Sequence, residues 1–235
     1  MIRSLACLSF ALILGLIPGA SADTKANTEK AKAALGELGE FIGQWNMSNE
    51  DTKKAVWKET WTWGWKFPKK DTDPLAMGIE IKDGKYFTGA VVTYDLDKKE
   101  YKVAATAKDG KTQDFTAKLL KGKFVMERTD SASKDLFRLT LSTAAQGARI
   151  VGNYEQVAGG KGLGSTLYKF TGGKEGESFA GGGKKPECIV TGGAGTIGVS
   201  YMGKSYFVCC SGCRDEFNAN PKKYVDEFEK NKGKK

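Results

Sequence analysis

Histidine is absent from all 235 residues. A Ser-His-Asp triad and a Cys-His pair are therefore excluded, and a soft metal ion would have to be held by thiolates. Cysteine is scarce too. Beyond Cys7, the chain has only Cys188, Cys209, Cys210 and Cys213, so its long middle has no thiolate and no disulfide. Arginine is equally thin: past Arg3 there are only Arg128, Arg138, Arg149 and Arg214. The chain is basic, with a formal net charge of +9, but the excess is lysine without an aromatic–basic ladder. This reads as solvated lysines keeping a protein soluble, with no nucleic-acid partner implied.

Long apolar runs are missing except at the start. Arg3 precedes the run Leu5–Ile17, Pro18-Gly19 breaks it, and Ala20-Ser21-Ala22 supplies small residues for a peptidase. That order predicts a signal peptide over 1–22, with a run too short to anchor in a bilayer. Cys7 lies inside the run and not just after it, so lipidation is not expected. The mature chain would begin at Asp23, be secreted or periplasmic, and keep no integral membrane segment. Removing the leader leaves 36 basic against 28 acidic side chains, a formal net charge of +8.

Composition then divides the mature chain. All five tryptophans lie between Trp45 and Trp65, and the four remaining cysteines follow residue 187. Between these groups, residues 173–186 are rich in glycine and lysine and poor in apolar side chains, the composition of a linker. The expected organisation is a domain at 23–172, a linker at 173–186, a cysteine module at 187–230 and a basic tail at 231–235.

The first domain opens with helical spacing at Leu35, Leu38, Phe41 and Ile42. From Trp57 the period becomes two: Trp57, Trp61, Trp63 and Trp65 share one face, with Lys58, Thr60 and Thr62 on the other. Further strands are expected at 75–81, 86–94, 101–107, 115–120, 124–128, 136–141, 150–156 and 166–170, punctuated by turns such as Asp83-Gly84 and Asp109-Gly110. Nine or so evenly spaced strands with almost no helix between them predict an up-and-down antiparallel barrel. Glu59, Glu80, Asp95 and Glu127, scattered among lysines, are expected on outward faces, and no catalytic constellation stands out, so the chain does not read as an enzyme. Phe41-Ile-Gly-Gln-Trp45 places a Gly-x-Trp after a short helix, and with the strands behind it this stretch resembles the lipocalin-like (calycin) barrels. The resemblance implies a barrel that holds a small apolar ligand or fills its own interior. Trp57, Trp61, Trp63 and Trp65 would accordingly line a cavity or form core.

Gly193, Gly195 and Gly198 spell G-x-G-x-x-G, the glycine pattern of a dinucleotide loop. A helix should follow it, whereas residues 199–208 alternate as a hairpin and fewer than fifty residues remain, so no nicotinamide or flavin cofactor is expected. These glycines read instead as backbone turns around a metal ligand. Cys188 precedes a turn-forming run, Cys209, Cys210 and Cys213 sit where the hairpin meets a helix, and Asn220-Pro221 starts another. Ligands from two such ends assemble small zinc-ribbon sites, and so small a module needs a metal or disulfides. Cys188-x20-Cys209-x3-Cys213, with Tyr201-x-Gly-Lys-x-Tyr206-Phe207, Phe217 and Pro221-x-x-Tyr224, resembles the YHS domain and the TRASH-type heavy-metal-binding domains over residues 186–229.

That resemblance implies a thiolate site for Cu(I) or Zn(II), with Cys188, Cys209 and Cys213 as ligands and Cys210 as a fourth candidate. Three thiolates suit Cu(I) and four suit Zn(II). The competing reading is a pair of disulfides. The fold expected is mainly β: a lipocalin-like antiparallel barrel, then a small α+β, zinc-ribbon or treble-clef-like cysteine module. The functional expectation is soft-metal trafficking, sequestration or resistance. The alternative is an apolar-ligand carrier with a disulfide-stapled tail.

Overall fold

A computed structural model describes residues 20–49, 57–70, 73–176 and 185–232. Most of the expected signal peptide, the core of the glycine-rich linker and the last three residues lie outside these.

The alternation of bulky and small polar residues at 57–66 forms strand β2, Lys58–Lys66. It belongs to a closed antiparallel barrel of ten strands. The others are β1 Gly43–Asn49, β3 Ala76–Lys82, β4 Phe87–Asp95, β5 Glu100–Ala107, β6 Thr112–Leu120, β7 Lys123–Thr129, β8 Leu136–Ala144, β9 Arg149–Val157 and β10 Ser165–Lys174. Neighbours in sequence are neighbours in the sheet, and β1 closes the ring by pairing with both β2 and β10. Closure leaves no long exposed edge. The tenth strand is β1, which starts at the Gly-x-Trp residues ahead of the nine expected from Trp57 onward. Strand β10 also runs through Lys174, two residues into the stretch expected to be linker. Lys121-Gly122 joins β6 to β7 with positive φ at both residues, the backbone a two-residue hairpin turn demands.

Helix α1, Ala20–Gly36, and the turn after it close one end of the barrel with Leu35, Leu38 and Phe41. Phe41 stacks on Trp63 with ring centroids 5.3 Å apart, and Trp45 Nε1 donates to the Phe41 carbonyl at 2.7 Å. Tyr101 donates its hydroxyl to the Ala34 carbonyl at 2.8 Å. The interior is filled by its own side chains, among them the fully buried Trp45, Trp63, Phe124 and Phe170.

One carboxylate departs from expectation. Glu59 is not on an outward face: it is 3 % exposed, on the same side of β2 as the tryptophans. Period two already placed it there, since residues 57, 59, 61, 63 and 65 share parity. Its Oε2 accepts the Lys85 backbone N–H at 2.9 Å, and burial raises its pKa above the ordinary value of 4.5.

Candidate metal centre

The C-terminal module gathers its cysteines with two backbone turns. In the first, the Cys188 N–H donates to the Gly193 carbonyl at 2.6 Å, and the Gly192 N–H donates to the Cys188 carbonyl at 2.8 Å. Gly192 sits at φ 76°, a conformation that side chains disfavour. Gly195 lies so close to the next strand that a Cβ there would be 2.6 Å from Phe207 Cβ. Of the dinucleotide-like glycines, Gly195 makes this close approach, while Gly192, the positive-φ residue of the turn, lies outside that pattern. The second turn follows a hairpin, β11 Ile197–Tyr201 and β12 Lys204–Val208, joined by Met202-Gly203 with positive φ at both. Strand β12 delivers Cys209, and Cys210 is the extended N-cap of helix α2, Ser211–Ala219. Helix α3, Pro221–Lys232, completes the module. Cys188 is stitched to β12 by a parallel bridge to Phe207, and the Ile189 N–H donates to the Phe207 carbonyl at 2.9 Å.

The result is a compact thiol cluster. The Sγ atoms of Cys188, Cys209 and Cys213 lie within 4.8 Å of one another, and all three residues are buried. Cys209 and Cys213 Sγ are 3.4 Å apart. Three sulfurs bound about 2.3 Å from a common centre are about 4 Å apart, so the donor set fits a thiophilic ion with little rearrangement. Thr191, which nothing in the sequence singled out, stands in the middle. Its hydroxyl donates to Cys188 Sγ at 3.3 Å and lies 3.5 Å from Cys209 Sγ.

Cys210, the fourth candidate, borders the cluster but falls outside the set of three mutually close sulfurs. Its Sγ is 3.9 Å from Cys209 Sγ and accepts the backbone N–H of Trp65 at 3.4 Å. The structure thus places it at the seam between module and barrel. Among the described residues, Cys188, Cys209, Cys210 and Cys213 are not joined by a disulfide.

Protons are shared unevenly in this cluster. Hydrogen bonds from Cys209 and then Cys213 hold the Cys188 thiol well below its ordinary value, and the Thr191 hydroxyl adds to them. Cys210 is also lowered, first by Cys209 and more weakly by the Trp65 N–H. Cys213 and Cys209 are pushed up, in each case first by Cys188. Thiols packed this closely disfavour several thiolates at once unless a cation compensates the charge.

The tryptophans occupy a different region. Trp61, Trp63 and Trp65 are buried core residues, and Trp57 is partly buried with Lys85 Nζ 5.8 Å from its ring centre. A void bounded by Trp61, Phe87, Phe115, Met126 and Leu139 measures about 20 Å³, room for about one water and for no apolar ligand. An open groove of about 1830 Å³ runs instead between module and barrel, where Cys209 and Cys210 line it beside Trp65 and Asp215. Of the three clustered cysteines, Cys209 borders this groove.

No curated protein matches the chain. The YHS domain family matches residues 196–227, a stretch that holds Cys209, Cys210 and Cys213 and begins after Cys188. The C-terminal module is a YHS domain with a cluster of three cysteines, preceded by a closed ten-stranded antiparallel barrel.

Proposed function

We propose that this protein binds a soft metal ion, copper or zinc, through Cys188, Cys209 and Cys213, and that it does so outside the cytoplasm to traffic or sequester the ion. The observation that carries this reading is the convergence of three buried Sγ atoms within 4.8 Å from two separate backbone turns. Thiolates are soft donors, and with no histidine in the chain they are the only soft charged ligands it can offer. Thr191 orients two of them, and Cys209 borders the open groove. The signal-like sequence over 1–22 supports an extracytoplasmic site of action. We read the role as binding, since the described residues gather the thiols as a metal-sized cluster. The filled barrel interior favours a scaffold over a carrier of apolar ligands.

Metal content and free-thiol count on protein purified anaerobically without chelator test this reading. The expected result is near-stoichiometric metal, with thiols titratable only after it is stripped. Metal-free protein that takes up neither copper nor zinc after full reduction would overturn it, and two disulfides would then be the better account.

A further inference from the structure

The seam between barrel and module bears directly on how many thiolates the site contains. Strand β1 starts at Gly43, opposite Trp63, so Gly64, Trp65 and Lys66 extend past it and pair only with β3, at Gly78, Met77 and Ala76. The N–H and C=O of one residue in an extended strand point to the same side. At Trp65 both point away from β3, where β1 has ended, and the module meets them. The N–H donates to Cys210 Sγ at 3.4 Å. The carbonyl lies so near Gly212 that a Cβ there would be 1.9 Å from the oxygen. Gly64 offers no side chain at the place where Cys210 rests, its own missing Cβ being 3.5 Å from Cys210 Cβ.

We propose that Trp65 of the barrel fixes the coordination number of the thiolate site: it keeps Cys210 at the seam and leaves three thiolates, which favours Cu(I) over Zn(II). This rests on the metal-binding reading above. Structural zinc sites are almost always closed by four protein ligands, whereas a soft monovalent ion is satisfied by fewer thiolates. Cys210 is next to Cys209 in sequence and 3.9 Å from its sulfur, so it would complete a four-thiolate set if released. Trp65 acts only through Cys210 and is a positioning residue. The arrangement also makes metal preference a property of the whole chain and not of the cysteine spacing alone.

The test uses the full reduced chain, loaded with Cu(I) or with Zn(II). X-ray absorption counts the sulfur neighbours, and chelator competition gives both affinities. The wild type is expected to show three sulfurs around Cu(I). Cys210→Ser should keep that number and hold the Cu(I) affinity within about twofold. Gly212→Ala should lift α2 from Trp65, raise the sulfur count at Zn(II) to four and strengthen Zn(II) binding relative to Cu(I) by about tenfold, the scale on which outer partners tune metal sites. Adding Cys210→Ser to Gly212→Ala should erase that gain. Four sulfurs around Cu(I) in the wild type, or a tenfold loss of Cu(I) affinity in Cys210→Ser, would overturn the proposal while the metal-binding reading stands. Wild-type protein that binds neither ion would overturn both. Should Gly212→Ala fail to fold, the Cys210→Ser result decides alone.

Discussion

Every barrel strand is paired on both sides, and the ten-strand ring encloses a core of aromatic side chains. The module, by contrast, has a single hairpin of two five-residue strands, two isolated bridges and two short helices. Its buried centre combines the thiols with a few apolar side chains, Val208, Tyr206 and Phe217 among them. The difference teaches where each region gets its stability. The barrel is sustained by pairing and burial, while the module is too small to be held by its core and depends on whatever joins its cysteines.

This contrast can be broken in order of effect. Cys213→Ser should abolish metal binding and unfold the module, a loss on the order of 10 kcal/mol by comparison with small zinc modules, while barrel near-ultraviolet circular dichroism persists. Loss of the barrel signal together with the metal would erase the distinction. Gly152→Ala should do the reverse. A Cβ there would lie 2.0 Å from the ring of fully buried Phe170, so the barrel should lose about 1–3 kcal/mol in denaturant unfolding with metal stoichiometry unchanged. Tyr101→Phe removes the buried bond to the Ala34 carbonyl that ties α1 to the barrel, and should cost about 1 kcal/mol.

The smallest effect is the most informative about the barrel's tolerance. Burial raises the Glu59 pKa, so folding favours its protonated form. The wild type is unpenalised below 4.5, the ordinary value for this carboxyl, and loses stability as pH rises from there through the raised value. Glu59→Gln should therefore melt a few degrees above the wild type at pH 7, and the two should converge near pH 4. A Tm difference independent of pH would show that packing, not charge, separates them.

Much of this was legible from spacing. The tryptophan alternation and the turn residues located the barrel strands, and the cysteine spacing located the thiol cluster, because both depend on neighbours close in sequence. Glu59 was legible as well: strand parity marks it as inward, but its company of lysines suggested the opposite. Thr191 gave no signal, since a hydroxyl in a turn is ordinary until three sulfurs surround it. Cys210 is the harder case. Its sequence position matches the other cysteines, but its environment is set by a backbone N–H 145 residues away, beyond the reach of any local pattern.

The closing ladder of the barrel has a kinetic consequence. Trp45 pairs with Lys174, so the ring cannot shut until segments from opposite ends of the domain meet, and contacts this distant make folding slow. The hairpin of the module joins residues only a few positions apart and forms on a faster clock. Trp65, in contrast to Trp45, pairs with Met77 of the neighbouring strand, so the N–H that meets Cys210 is set by local pairing and does not wait for the ring to close.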